Sequence, residues 1–336
     1  MNLIPYAKPF LPVPDQVALL RQRNMIIDDD ADVATWLQRA GYYRLSGYWY
    51  PFRRSEVVGK VALANGATRD DIQVHDDLTH GTTWNQVVEL YEFDRELRRL
   101  VFDAIERVEV GLRFHVGHTL GDRGGAEAYL NSANLDAPQV TLKKGRRALS
   151  QHDQILAKIR QSIEQSDAQF VDHYKKTYSS PMPIWMLTEL LTFGDLLLLF
   201  RALATRDRDA IAREIGLIDP SGSGAGGALQ AWWKNLRYIR NTCAHHSRLW
   251  NLNVTQRIGD KHLSSFDVLR HAAGATRPRL YPTLAVLSFL THRINPADDW
   301  CWKLREFLDD APRAGRSLDE MGFPSGWESE PVWNLA

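Results

Sequence analysis

The sequence predicts an all-α protein, and three observations carry that expectation. From Trp84 to Leu120, apolar residues (Val88, Tyr91, Leu97, Val101, Ala104, Ile105, Val108, Leu112) recur at helical spacing for about ten turns. Ala231 to Trp250 is a second helical pattern, free of Gly and Pro, in which Trp232, Leu236, Ile239, Cys243 and Leu249 trace an apolar stripe. No stretch sustains a period of two or a framework of hairpin dipeptides. With 336 residues, 44% hydrophobic and 24% charged, the chain has ample apolar material for one large or two ordinary domains.

In chain order, the Pro-rich residues 1–12 read as an arm, and Pro14–Asp15 opens a short helix to about Arg23. Asp28, Asp29 and Asp30 place carboxylates at the start of a second helix, where the macrodipole favours them, and Gly41 stops it. Gly41–Arg54 then interleaves six aromatics with Arg44, Arg53 and Arg54. Aromatics fill cores, but aromatic and Arg faces also stack on unpaired bases. Tyr43, Arg44, Arg53 and Arg54 are therefore candidate RNA contacts. Residues 55–83, polar with Gly and Asp, read as a long loop. The charged side of the 84–120 helix reads as solvated i,i+4 pairs.

Beyond it, 121–141 reads as loop with a short helical piece, and helices are expected over 143–166, 168–178, 184–203 and 206–215. Ser221–Gly227 lacks the Lys of a phosphate-binding loop and follows no strand, so a flexible linker is expected. Helices at 264–272, 280–293 and 299–308 and a loose aromatic tail complete the chain.

Forty-one basic and 41 acidic residues cancel, so any nucleic-acid surface must be a local patch rather than a global field. Cys243 and Cys301, far apart, offer neither a disulfide framework nor a zinc signature, which fits a reducing cytosol. No signal peptide opens the chain. The most apolar segment, Ile184–Phe200, is interrupted by Glu189, Gly194 and Asp195 and falls short of the ~20 residues of a membrane span. A cytoplasmic protein without a membrane anchor is expected. His115 and His118, without a carboxylate cluster, do not make a metal site.

The candidate chemistry lies in the second helical stretch. Asn241 and His245, four residues apart, share a face, and the long Arg240 side chain can swing toward it from about 140° around the helix. A permanent cation beside an imidazole that titrates near neutrality suits phosphodiester cleavage. Spacing alone does not decide, because an Arg with a His a few residues on recurs at Arg69/His75, Arg113/His118, Arg147/His152 and Arg257/His262. Only the Arg240 pair combines a polar residue after the Arg, a strongly helical setting and aromatic flanks. The bland alternative is a salt-bridged surface with a satisfied histidine.

Four blocks then carry a family resemblance. They are Gly41–Arg53 (GYYRLSGYWYPFR), Leu90–Arg98 with Ala104–Arg113, Pro183–Glu189 with Thr192–Gly194, and Tyr238–Asn251 (YIRNTCAHHSRLWN). In this order they resemble the bacterial abortive-infection Abi family, the AbiD/AbiF-like proteins, over roughly residues 8–252. That family looks like a branch of the HEPN superfamily of small helical bundles. The resemblance implies a HEPN-like bundle over 84–252, with an N-terminal helical segment over 1–60 and a C-terminal extension over 253–336.

It also implies metal-independent ribonuclease chemistry of an anti-phage toxin, without cofactor, in a homodimer that brings two motifs together. Arg240, Asn241 and His245 fall on the signature. His246, about 100° further round an ideal helix, and Glu109 and Arg113 are auxiliary candidates. RNA is the implied partner, as substrate and also as a small structured regulator. A non-cleaving RNA-binding protein held by such an RNA is the alternative. A third reading, a helix-turn-helix mimic at 15–23 and 30–40, lacks a basic recognition helix.

Overall fold

Capping chemistry sets the first helices. Pro sits in the first turn of α1 (Val13–Gln22), where its missing N–H costs nothing. Asp29 accepts the N–H of Ala31 at 2.8 Å and so opens α2 (Asp30–Ala40). Gly41, at φ +85°, ends it and hands the chain to α3 (Tyr42–Trp49). The computed structural model describes residues 5, 9–62, 66–135, 150–274 and 278–335, and these form two compact units. One is Met1–Glu96 with Ala311–Ser317; the other is Leu97–Asp310 with Leu318–Ala336.

In the first unit the aromatic stretch divides between core and surface. Tyr48, Trp49 and Phe52 are buried, while Tyr43 and Tyr50 are exposed. The Tyr48 hydroxyl donates to buried Asp94 at 2.7 Å and its ring meets Tyr91 edge-on. The stretch expected as a loop contains a hairpin instead: β1 (Arg53–Ala62) pairs antiparallel with β2 (Thr68–Leu78), Val57 opposite Ile72. The pattern eludes a search for alternation because both faces are largely exposed, so no apolar face is selected. Asn65–Gly66, a hairpin dipeptide, is the signal that marks it, although residues 63–65 lie outside the described residues. α4 (Trp84–Gly124) begins in this unit and continues into the second. At its start Val87 and Leu90 turn inward, and the expected Val88 and Tyr91 are only half-buried.

In the second unit the α4 stripe from Leu97 through Val101, Ala104, Ile105, Val108 and Leu112 is buried as its period predicts. The charged side forms i,i+4 pairs, Arg107 with Asp103 at 2.9 Å and Arg113 with Glu109, and Arg107 reaches Asp298 as well. It is not solvated throughout: the Arg113–Glu109 pair is largely shielded, and Asp94 and Arg98 are buried. α5 (Gln151–Glu164) follows, its predicted start at 143 lying outside the described residues, then α6 (Gln169–Thr177). The single helix expected over 184–203 is two, α7 (Ile184–Leu190) and α8 (Phe193–Ala202). Thr192 breaks it by accepting the N–H of Asp195 at 3.1 Å, so Thr192-x-x-Asp195 acts as a helix start inside an apolar run.

α9 (Thr205–Glu214) leads into the Gly-rich segment, which is a built turn and not a flexible linker. Asp219 accepts the N–H groups of Ser221 and Ser223, and the Gly226 N–H donates to Asp209 at 3.1 Å. α10 (Gly226–Ala244) follows, then α11 (Asp260–Ser264), α12 (Tyr281–Ile294) and α13 (Trp300–Asp310).

Trp232 of α10 meets Phe266 and Phe289 in the core, and Trp233 meets Phe193 and Phe200. Buried Asn235 is satisfied on both sides: it donates to the Gln256 carbonyl and accepts from Thr283. The tail expected to be loose is core, because Phe323 and Trp333 pack with Tyr281 and Trp327 packs with both of them. Among the described residues no helix is long and apolar enough to cross a membrane.

Candidate functional site

α10 organises the site because one side of it is committed to the core. Trp232, Trp233, Leu236, Ile239 and Cys243 are buried, leaving Arg237, Asn241 and Ala244 exposed. The helix ends at Ala244 and does not run on to Trp250. His246 adopts a left-handed φ of +55°, its N–H bonds the Cys243 carbonyl at 2.9 Å, and the Ser247 N–H bonds that of Thr242 at 3.0 Å. This is the Schellman closure, with a histidine where glycine is usual, and so the sequence carries no Gly to announce the stop. Leu249 and Trp250 are buried beyond the turn instead of continuing the stripe on α10.

His245 therefore occupies the C-cap, exposed, just where the chain leaves the helix. His246 occupies a position tolerant of histidine but hostile to β-branched residues. His246→Val is expected to cost about 1–2 kcal/mol, read as a lower urea midpoint at unchanged slope, with His246→Gly preserving the turn.

Arg240 is half-buried, with its guanidinium over the Phe102 ring of α4, 5.8 Å from the centroid. Its Nε is shielded from solvent and has no hydrogen-bond partner among the described residues. A buried guanidinium N–H without an acceptor is costly, and the Nε atoms of Arg53, Arg279 and Arg316 share that state among the described residues. Asn241 and His245 are exposed on the same end of α10; the Asn241 carbonyl accepts the His245 N–H at 3.0 Å. No side-chain hydrogen bond between them is formed.

The sequence around Arg240 is one-signed. Between Asp219 and Asp260 the chain has no acidic residue, while Lys234, Arg237, Arg240, Arg248 and Arg257 fall in that span. The gap in carboxylates is legible in the sequence, as is Phe102, an apolar residue placed beside the buried stripe of α4.

The auxiliary candidates are spoken for elsewhere. The Arg113 guanidinium donates to the Thr188 carbonyl, to that of Leu191 at 2.7 Å, and to Glu109. It caps the C-terminal end of α7 with its carboxylate partner beside it. Along α4, Glu109 and Arg113 lie about 10 and 16 Å beyond Phe102 at 1.5 Å per residue, so the structure does not bring them to Arg240.

In the first unit, Arg53 pairs with Asp76 at 3.2 Å and lies over Tyr50, and Arg54 pairs with Asp77 at 2.8 Å. These two arginines brace the hairpin. Tyr43 and Arg44 stand exposed on α3. Among the described residues no three of His, Cys, Asp and Glu gather as metal ligands.

No curated protein and no solved structure matches the chain. A family model does match, over residues 35–251, a span that holds α3, the hairpin, α4 and the whole of α10 with its closing turn. By that match the chain belongs to the Abi-like protein family.

Proposed function

We propose that this protein is a metal-independent endoribonuclease of abortive-infection defence, acting in the cytoplasm as a HEPN-type homodimer. Arg240 is the observation that carries the reading. It is held over Phe102 with a shielded Nε that has no partner among the described residues, in a span of sequence without carboxylates and five residues before an exposed histidine.

In the proposed reaction the ribose 2′-hydroxyl attacks the adjacent phosphorus and the bond to the 5′-oxygen breaks. The products are a 2′,3′-cyclic phosphate and a 5′-hydroxyl end. Arg240 neutralises the charge that builds on the phosphoryl oxygens. His245 takes the 2′-hydroxyl proton or delivers one to the leaving oxygen. Cleavage needs both transfers, and in this reading His245 of one copy makes one of them. A second copy supplies the other, with Asn241 holding phosphate or imidazole once the site is composite.

The second reading, an RNA-binding protein that does not cut, is favoured by the exposure of His245, whose imidazole no side chain among the described residues hydrogen-bonds. Purified protein mixed with total tRNA separates the two. Cleavage that persists in EDTA and leaves 2′,3′-cyclic phosphate ends is the expected result. RNA retained uncut supports the binding protein, and cleavage that needs Mg²⁺ and leaves 3′-hydroxyl ends rejects the mechanism.

A further inference from the structure

Part of the second unit that the cleavage chemistry does not use has the form of a binding site. A cavity of about 310 Å³ opens between α4 and α7. Two of its walls are flat aromatic faces. Phe114 lies 14° from parallel to His118 with centroids 5.2 Å apart, and Phe114 remains 61% exposed. Trp185, 51% exposed, also lines the cavity.

The backbone is shaped to hold that tryptophan there. A Cβ added at Gly117 would lie 3.2 Å from the Trp185 Cα, and one at Gly121 would lie 3.1 Å from its ring. Two glycines one turn apart thus let α7 settle against α4, and Arg113 fastens the end of α7 through the carbonyls of Thr188 and Leu191. Exposing a large indole costs solvation free energy, and here a rigid local architecture maintains that exposure.

The charges at the rim select the occupant. Arg113 directs its guanidinium at backbone carbonyls and Glu109, so the one arginine in the lining is not offered to a phosphate. Asp122 and Glu189 also line the cavity, are exposed, and form no ion pair among the described residues. The site therefore suits a flat ring bearing N–H donors rather than an anion. Among the bases of RNA, guanine presents adjacent ring N–H and exocyclic amine donors that match a carboxylate fork.

We infer that this cavity is a subsite for one unpaired guanine base, stacked between Trp185 and Phe114 and held by Asp122 or Glu189. The inference rests on the RNA reading of the protein and gives it a base preference. Phe114 lies about 18 Å along α4 from Phe102 at 1.5 Å per residue, so the base it holds is a few nucleotides from the bond at Arg240.

The test uses short 2′-O-methyl oligouridine, which cannot be cut by 2′-hydroxyl attack, and the same oligomer with one central guanosine or adenosine. Affinities for the 336-residue chain are measured by fluorescence anisotropy. The single guanosine is expected to tighten binding about tenfold over uridine or adenosine. Trp185→Ala is expected to remove most of that gain, roughly tenfold, the scale of one lost base stack. The double variant Asp122→Asn/Glu189→Gln, on exposed side chains that folding does not need, is expected to bring guanosine down to the level of adenosine.

Equal affinity for the three oligomers overturns the guanine site, as does a guanosine preference that survives the double variant. Trp185→Ala that alters the oligomeric state but not the affinities also overturns it, and assigns the surface to contact between copies. If Trp185→Ala does not fold, the carboxylate variant decides alone. Because the probe is uncleavable, absence of nuclease activity leaves this test standing. Binding without base preference sinks the subsite and spares the enzyme.

Discussion

His245→Ala is expected to lose RNA cleavage by about 10²–10⁴-fold while melting close to wild type, because in the proposed reaction the imidazole moves protons and does not hold the fold. The residue is exposed at the C-cap of α10, and its contribution to the closing turn is a backbone N–H to the Asn241 carbonyl at 3.0 Å, which alanine also supplies. Arg240→Ala is expected to lose cleavage as well and to weaken RNA binding, with a shallower salt dependence from one fewer proposed phosphate contact. Arg240→Lys is expected to recover little, since an ammonium does not offer a fork of donors.

Initial rates on a fluorescent RNA, beside melting curves for each variant, read all three. If His245→Ala unfolds the protein, the imidazole belongs to the core and the site is misassigned. If His118→Ala abolishes cleavage while His245→Ala retains it, the chemistry lies in the cavity between α4 and α7 and the guanine subsite falls with it.

The helical class and the placement of Arg240 were legible because each rests on a period that burial enforces. On α4 from Leu97 onward and on α10 up to Cys243, the apolar positions face the core as their spacing dictates. What could not be read depends on interactions that leave no period. The end of α10 is set by a histidine adopting a left-handed backbone, a choice that tertiary packing of Leu249 and Trp250 imposes. The hairpin escapes because its strands bury almost nothing.

Arg113 follows the same logic. From its position one turn beyond Glu109 it reads equally as surface pair or site residue, and only the carbonyls of α7, some seventy-five positions later, decide. The tail escapes for the opposite reason: its aromatics are too sparse for any period, yet Tyr281 gathers Phe323 and Trp333 around it.

Gly224→Ala is expected to destabilise the second unit by about 3 kcal/mol, and Gly227→Ala to stabilise it by about 0.5–1 kcal/mol, although the two lie three residues apart. A Cβ on Gly224 would sit 1.8 Å from the carbonyl oxygen of Asp209 and 2.7 Å from its carbon, backbone atoms of α9 that cannot swing aside. Gly226 is similarly closed, 2.7 Å from the Asp209 carboxylate that accepts its N–H.

Gly227 has nothing within 4 Å and lies in the first turn of α10, where alanine lowers the entropy of the unfolded chain at no steric cost. Gly222, at φ +82° with open space around it, is the intermediate case; alanine there costs about 1 kcal/mol from backbone strain alone. Thermal melts are expected to place Gly224→Ala roughly 10 °C below wild type and Gly227→Ala a few degrees above.

The same elbow launches α10, so forcing it open moves the helix that carries Arg240 and His245. Gly224→Ala is therefore expected to lose cleavage even at temperatures where it remains folded. Gly227→Ala is expected to keep it. Gly224→Ala melting with wild type would show that α9 does not press on the turn, and a stable but inactive Gly227→Ala would show that the turn must flex for the reaction.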